Sequence, residues 1–319
     1  MSGVLRDKME LSVVVPVYGC PSALPELYRR IVSTIEGMKV SFEVVLVDDC
    51  DEMGSWEEIK KIVAQDKRVK ALHFTHNCGQ DRAITAGVRQ AKGEWIITMD
   101  CDLQDAPEHI AELYRMVKEK EVDVVFVRRN NIKASPLSRF FALLFHRLFS
   151  FFAEIPFDYE IGTYLIASSR AAAYYKESKD RGRDFGMFLM WLRFDHDFVV
   201  FEHECRYEGK SSYNFKKKVD YAIRMMTSFS NRVLYLPIHL GVVAVIGSFV
   251  YLVAMLISYF AFHANPEGWT TIVAAIFLFG GMILSTLGII GVYLGNIFDM
   301  NKDRPLYIVK ESLNCDESY

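Results

Sequence analysis

Residues 11–19 read LSVVVPVYG, a β-branched run that is apolar at almost every position and ends at a tyrosine and a glycine. Similar runs recur, with helix-compatible stretches between them: FEVVLVD at 42–48, VKALHF at 69–74, WIITMD at 95–100 and VDVVFV at 122–127. Strands that are apolar on both faces and separated by helices indicate a mostly parallel, doubly wound sheet. The sequence therefore predicts an α/β domain over residues 1–214.

Polar side chains follow three of these runs at the points where the predicted strands end. Tyr18 follows the first run, Asp48 and Asp49 close the second, and Asp100 and Asp102 close the fourth. Ligands of doubly wound sheets bind at the carboxyl ends of the strands. We therefore expect the binding site at this edge of the sheet.

The motif DCDLQ supplies two carboxylates, Asp100 and Asp102, and the amide of Gln104. In extended chain these alternate residues project to the same side. Such oxygen ligands suit Mg²⁺ or Mn²⁺, which take few protein ligands and leave positions for substrate phosphates. A motif of this kind also occurs in solvated turns, but its place after a strand favours a metal site.

Other chemistries are excluded by what the 319 residues lack. Neither G-x-G-x-x-G nor G-x-x-x-x-G-K-[ST] occurs, which argues against dinucleotide redox chemistry and P-loop hydrolysis. The net charge of −3 provides no global basic field for nucleic acid.

The six cysteines form no CxxC pair and no metal-ligand spacing, so we expect free thiols in a reducing compartment. The N-terminus has no signal-peptide pattern, which predicts a cytoplasmic domain.

The C-terminal third contains two long uncharged stretches, Val233 to Phe262 and Trp269 to Phe298. Each exceeds the roughly 20 residues that cross a bilayer core, and buried helices of a soluble core are the less favoured alternative. Lys and Arg flank the pair on its outer ends and are absent from the connection HANPEGW at 263–269. The positive-inside rule thus predicts an integral membrane protein with a transmembrane hairpin at 233–262 and 269–298, and a cytoplasmic tail at 299–319.

Two further stretches are predicted to lie at the membrane surface. Residues 215–232 place apolar side chains on one helical face and most basic ones off it. Residues 137–153 are apolar apart from a basic stripe and are too short and polar to span; a core helix is the alternative. A G-x-x-x-G at 291–295 would let another helix approach closely, within the hairpin or in a homo-oligomer.

Several motifs together resemble glycosyltransferase family 2: VPVYG at 15–19, VDDCD at 47–51, NCGQDRAITAG at 77–87 and MDCDLQDAPE at 99–108. The two spans, RYEGKSSYNF at 206–215 and DRPLYIVKE at 303–311 resemble its polyprenyl-phosphate branch. That branch includes bactoprenol glucosyltransferases, dolichol-phosphate mannose synthases and the undecaprenyl-phosphate formamido-arabinose transferase.

The resemblance implies a GT-A type fold and an inverting transfer of one sugar, with UDP-linked donors favoured, to undecaprenyl or dolichyl phosphate. It places the nucleoside base at Pro16, Tyr18 and Asp49, and the metal that bridges the diphosphate at Asp100, Asp102 and Gln104. It places the lipid phosphate near Arg129 and Arg139. Arg206 and Lys210 would order donor and acceptor, and with Asp102 they are the catalytic candidates.

One departure from the family pattern concerns catalysis. Gly162-Thr163-Tyr164-Leu165-Ile166 replaces the family's G-D-F-R-L and removes a carboxylate often assigned to the chemistry. The formamido-arabinose subgroup also lacks that Asp and shares Gly79-Gln80, so the chain resembles it most, and Gln80 and Thr163 join the substrate-binding candidates.

A phosphate acceptor with a second pKa of about 6 is already largely ionised and needs no general base. Loss of the Thr163 hydroxyl is therefore expected to cost little, and loss of Arg206 or Lys210 far more. Two alternatives stay open. A processive polysaccharide synthase would carry a Q-x-x-R-W motif, which is absent, and more spans. A non-catalytic membrane scaffold that binds nucleotide sugars draws support only from the departure at Thr163 and from Ser212, which stands where the family has a lysine.

Overall fold

The computed structural model describes residues 9–129, 161–178, 184–201, 268–302 and 304–315, together with individual positions between 235 and 257. The chain divides into two compact units. Among the described residues, the second unit holds 268–302 and the positions between 235 and 257, and the first unit holds the rest. The predicted membrane-surface stretches 137–153 and 215–232 lie outside the described residues.

The first unit is an α/β domain. Its strands are β1 (Leu11–Val17), β2 (Phe42–Asp48), β3 (Val69–Phe74), β4 (Trp95–Thr98), β5 (Val124–Arg129), β6 (Ile161–Ser168), β7 (His196–Phe201) and β8 (Val309–Leu313). Its helices are α1 (Leu24–Met38), α2 (Ser55–Gln65), α3 (Gln80–Gln90), α4 (His109–Lys120), α5 (Ser169–Glu177) and α6 (Phe185–Leu192). In the described part of the unit, the eight strands form one sheet in the order β7-β5-β6-β4-β1-β2-β3-β8.

The sheet is mixed. β4, β1, β2 and β3 run parallel to one another, as do β5 and β7, whereas β6 runs antiparallel to both β4 and β5. β8 adds to the edge of β3 in the antiparallel direction. The predicted parallel core is confirmed, but the antiparallel strands β6 and β8 had not been expected.

The core lies where the apolar runs predicted it. Every residue of β1 and β2 is buried, and α3 packs against both strands. α3 approaches β1 so closely that a Cβ at Gly87 would lie 2.3 Å from Val14 Cγ1. Only glycine allows this packing distance, so α3 is held directly against the strands that lead to the site.

The chain turns sooner after β4 than expected. β4 ends at Thr98, residues 101–105 form turns and bends, and Leu103 has a left-handed φ of 61°. The backbone N–H of Gln104 donates to Asp102 Oδ1 at 3.1 Å. The expectation of extended chain through Gln104 was therefore wrong, because the side chain of Asp102 stabilises a local turn.

The second unit contains one further helix, α7 (Trp269–Asn301). Within the described residues, α7 is the one helix long and apolar enough to cross a membrane, and its apolar side chains, such as Leu284, are largely exposed. The described positions between 235 and 257 are helical as well.

Candidate functional site

The candidate site lies at the carboxyl ends of β1, β2 and β4, beside the first turn of α3. Pro16 is within β1, and Tyr18, just beyond it, is 58% exposed. These are the positions at which the sequence predicted a nucleoside, and they remain predictions.

Asp49 organises the loop that precedes α3. Its Oδ1 accepts a hydrogen bond from the backbone N–H of Cys78 at 2.6 Å, and its Oδ2 accepts one from Gly79 at 2.8 Å. Burial raises the pKa of Asp49, and the two N–H donors oppose that rise. Gly79 has a φ of +97°, which a residue with a side chain would adopt only under strain. The carboxylate thus sets the backbone path into Gln80.

Asp51 ties two neighbouring loops together. Its carboxylate accepts from Gly19 N at 2.8 Å, from Met53 N at 2.8 Å and from Ser55 N at 3.3 Å. It therefore fixes the turn after β1 to the start of α2, and this role was not recognised from the sequence although Asp51 belongs to the VDDCD motif.

Asp48 does not face the site. It is fully buried, and its Oδ2 hydrogen-bonds to His73 Nδ1 at 2.6 Å. His73 stacks on Trp56 with ring centroids 4.9 Å apart, and Trp56 Nε1 donates to Glu311 on β8 at 3.0 Å. Burial raises the pKa of Asp48, opposed by the His73 hydrogen bond. This cluster connects the sheet to the C-terminal tail.

Asp100 receives two donors on one oxygen. Gln80 Nε2 lies 2.6 Å from Asp100 Oδ1, and Thr163 Oγ1 lies 2.7 Å from the same atom. Thr98 Oγ1 in turn donates to the backbone oxygen of Thr163 at 2.5 Å. The structure thus brings together three residues that the sequence predicted for the site. Gln80 and Thr163 were predicted to bind substrate, but here they contact Asp100, a predicted metal ligand.

The oxygen-bearing side chains at this edge of the sheet fit a divalent cation that is coordinated by both protein and phosphate oxygens. Among the described residues no group of three or more His, Cys, Asp or Glu side chains converges on one point. Asp100, Asp102 and Gln104 are all partly exposed. Mg²⁺ needs only one or two carboxylates when substrate phosphates complete its coordination shell. The carboxylates of Asp100 and Asp102 therefore fit the ion without a further protein carboxylate.

Cys101, between the two aspartates, forms a disulfide with Cys20 in the loop after β1. The expectation of free thiols was wrong for this pair, because the fold brings together two buried cysteines that the sequence separates by 81 residues. Among the other described cysteines, Cys50 and Cys78 carry thiols outside any disulfide. The disulfide ties the loop expected to hold the base to the loop expected to hold the metal.

The predicted lipid-phosphate residues are only partly described. Arg129 is the last residue of β5, and the guanidinium of its neighbour Arg128 lies 3.9 Å from the ring centroid of Phe198. Arg139, Arg206 and Lys210 lie outside the described residues, so their roles remain predictions.

Comparisons with known proteins identify a family. The family model described as glycosyl transferase family 2 matches residues 12–181. The chain is 31% identical over 304 residues to the uncharacterized glycosyltransferase YkcC of Bacillus subtilis (strain 168). The match covers 95% of this chain and 94% of the relative. It is 28% identical over 305 residues to the SfII prophage-derived bactoprenol glucosyl transferase of Shigella flexneri, at 95% and 98% coverage.

A solved structure shares the fold. Glucosyl-3-phosphoglycerate synthase from Mycobacterium tuberculosis, crystallised with Mn²⁺, uridine diphosphate and phosphoglyceric acid, has a TM-score of 0.50 and 12% identity. The match covers 69% of this chain and 77% of that chain. The likeness supports the GT-A-like mixed α/β fold.

Proposed function

The chain belongs to glycosyl transferase family 2, and from this premise we propose that it transfers a single sugar from a nucleotide sugar to a polyprenyl phosphate. The observation that carries the proposal is the grouping of Asp49, Gln80 and Asp100 at the carboxyl ends of parallel strands. Ligands of doubly wound sheets bind there. UDP-linked donors are favoured by the sequence resemblance, with Pro16, Tyr18 and Asp49 at the base.

The donor diphosphate is assigned to the loop after β4. Asp100, Asp102 and Gln104 would hold Mg²⁺ or Mn²⁺, which would neutralise charge on the departing nucleoside diphosphate. The backbone N–H of Gln104 donates to Asp102 Oδ1, so these two residues lie in one turn that follows Asp100 in the chain. Hard oxygen ligands of this type suit a cation that also binds phosphate.

The acceptor is assigned from chemistry and from similarity. The relative from Shigella flexneri, named a bactoprenol glucosyl transferase, aligns with 95% of the chain, so the similarity includes the apolar C-terminal part. A lipid phosphate is already ionised near neutral pH and requires alignment behind the anomeric carbon rather than deprotonation. Arg129, Arg139, Arg206 and Lys210 are the proposed basic residues for that alignment, and the transfer is inverting.

The membrane hairpin is part of the proposal. β8 follows α7 in the chain and pairs with β3, which supports a placement of the polypeptide before and after the apolar part on the same side of a membrane. This requires an even number of crossings. If α7 is one crossing, the uncharged stretch 233–262 is the candidate for the other, with the catalytic domain and the tail cytoplasmic.

The test is a product assay with the full-length protein in detergent. Purified protein is incubated with Mn²⁺, undecaprenyl phosphate and, one at a time, UDP-glucose, UDP-N-acetylglucosamine and GDP-mannose, and the organic phase is analysed by mass spectrometry. We expect one sugar per lipid phosphate with at least one donor, and none with the Asp102→Asn variant. Sugar in an insoluble polymer would favour a processive synthase. No release of nucleoside diphosphate with any donor would favour a non-catalytic scaffold.

A further inference from the structure

Two side chains from different elements converge on the same atom of the candidate metal ligand. Gln80 is the first residue of α3 and Thr163 belongs to β6, yet both donate to Asp100 Oδ1, at 2.6 and 2.7 Å. β1 and β6 are the neighbours of β4 in the sheet, and α3 packs against β1. The carboxylate is therefore fixed from separate parts of the fold.

Strand register places Thr163 at this point. β4 and β6 are antiparallel, with Thr98 opposite Leu165. Continuing that register, Asp100 stands opposite Thr163, and the Thr98 hydroxyl bonds to the backbone oxygen of Thr163 at 2.5 Å. The backbone of residue 163 is thus held beside Asp100 whatever side chain it carries.

The chemistry of the side chain at 163 then matters. A hydroxyl can donate to an ionised carboxylate, whereas an ionised Asp only accepts and would place a second negative charge beside Asp100. Thr163 and Gln80 are both neutral donors. They can orient Asp100 without adding charge to the site.

We propose that Thr163 and Gln80 are positioning residues that hold Asp100 through its Oδ1 and present the carboxylate to the divalent cation. The inference rests on the proposed function, because it takes Asp100 to be a cation ligand. It replaces the expectation that these two residues contact substrate. It also explains how the chain works with threonine where the family has aspartate: the residue supports metal binding, not proton transfer.

The experiment measures Mn²⁺ binding directly, by loss of the free-ion EPR signal, on the full-length protein in detergent without nucleotide. Thr163→Val removes the hydroxyl at nearly constant volume, and Thr163→Ser restores it. We expect Thr163→Val to weaken Mn²⁺ binding about tenfold, as loss of one hydrogen bond to a charged group implies, and Thr163→Ser to bind nearly as wild type. The Mn²⁺ concentration that half-saturates sugar transfer should rise by about the same factor in Thr163→Val and return close to the wild-type value in Thr163→Ser.

Gln80→Leu tests the other donor independently and should weaken Mn²⁺ binding to a similar extent. Thr85→Val is the matched control. It removes a buried hydroxyl of α3 that bonds to Asp81 O and Tyr175 OH, both at 2.7 Å, and it should leave Mn²⁺ affinity unchanged. If Thr163→Val does not fold, Gln80→Leu alone decides.

Two results would overturn the inference. One is unchanged Mn²⁺ affinity in both Thr163→Val and Gln80→Leu. The other is a fall in turnover at saturating Mn²⁺ with metal affinity intact, which would place the hydroxyl in the chemistry. A protein whose Mn²⁺ affinity depends on Thr163 and Gln80, but which makes no lipid-linked sugar, would refute the proposed function and leave this inference standing.

Discussion

Asp49→Asn is the substitution that best separates two roles for the residue after β2. The sequence resemblance places Asp49 at the nucleoside base, whereas the structure bonds its two oxygens to the backbone N–H groups of Cys78 and Gly79. Those residues precede Gln80, which holds Asp100. If the second role dominates, Asp49 affects the cation as well as the nucleotide.

The size of the effect follows from the two hydrogen bonds. Asn keeps one acceptor oxygen, so one bond of 2.6 or 2.8 Å survives, and its amide group faces the other N–H. A hydrogen bond to a charged group contributes about 1.5–3 kcal/mol. Burial raises the pKa of Asp49, and the two N–H donors oppose that rise. A loss of about 2 kcal/mol corresponds to roughly 30-fold in affinity.

The assay compares Mn²⁺ binding without nucleotide and UDP binding with Mn²⁺ present. We expect Asp49→Asn to weaken both, UDP binding by up to about 30-fold. Asp51→Asn is the control, because Asp51 is bonded to backbone N–H groups in the neighbouring loops and not to the segment that leads into Gln80. It should leave Mn²⁺ affinity unchanged. If Asp49→Asn weakened UDP binding alone, the loop-ordering argument would be wrong and direct contact with the base would explain the residue.

Four further predictions concern the metal, the membrane topology, the disulfide and one ion pair. Asp102→Asn should lower turnover at least about 10²-fold and EDTA should abolish activity reversibly, so full activity in chelator would contradict the metal assignment. A cysteine at Glu267, on a background without native cysteines, should react with an impermeant reagent from the side opposite the catalytic domain; labelling only after lysis would reverse the topology. The Cys20–Cys101 disulfide should contribute roughly 4 kcal/mol to the free energy of unfolding by the chain-entropy estimate. Dithiothreitol should therefore lower the unfolding temperature of the wild type but not that of the variant with Ser at both positions. Reaction of Cys20 and Cys101 with a thiol reagent in unreduced, denatured protein would disprove the bridge. Arg68 lowers the pKa of Asp66 to about 2, so the ionised carboxylate contributes about 1–2 kcal/mol to the free energy of unfolding. This contribution is present above pH 4 and is lost as the pH falls towards 2. The unfolding temperature of Asp66→Asn should therefore lack this pH dependence.

The local pattern of apolar residues was sufficient to predict the parallel half of the sheet. β1 to β4 coincide closely with the apolar runs because a strand covered on both faces must be apolar at successive positions, and that property can be read without knowing its neighbours. The uncharged stretch beginning at Trp269 is helical for the same kind of reason, since its composition alone fits lipid. Asp100 and Asp102 were found because they follow such a strand.

The two antiparallel strands, β8 at the edge of the sheet and β6 within it, could not be predicted from local sequence. β8 reads VKESL and is largely exposed, so no apolar pattern marks it as a strand. It pairs with β3 through backbone hydrogen bonds, which are available to almost any sequence, and its Glu311 accepts from Trp56 of α2, a contact across 255 residues. β6 enters the sheet antiparallel, a direction that its own residues do not encode.

The contacts that define the site are also long-range. Thr163 meets Asp100 across 63 residues and Cys20 meets Cys101 across 81, and each partner is ordinary in its local sequence. The sequence by itself determined which residue types gather at the carboxyl ends of the strands. Only the tertiary structure decided that a threonine and a glutamine hold one oxygen of Asp100, because strand register and helix packing, rather than local preference, place them there.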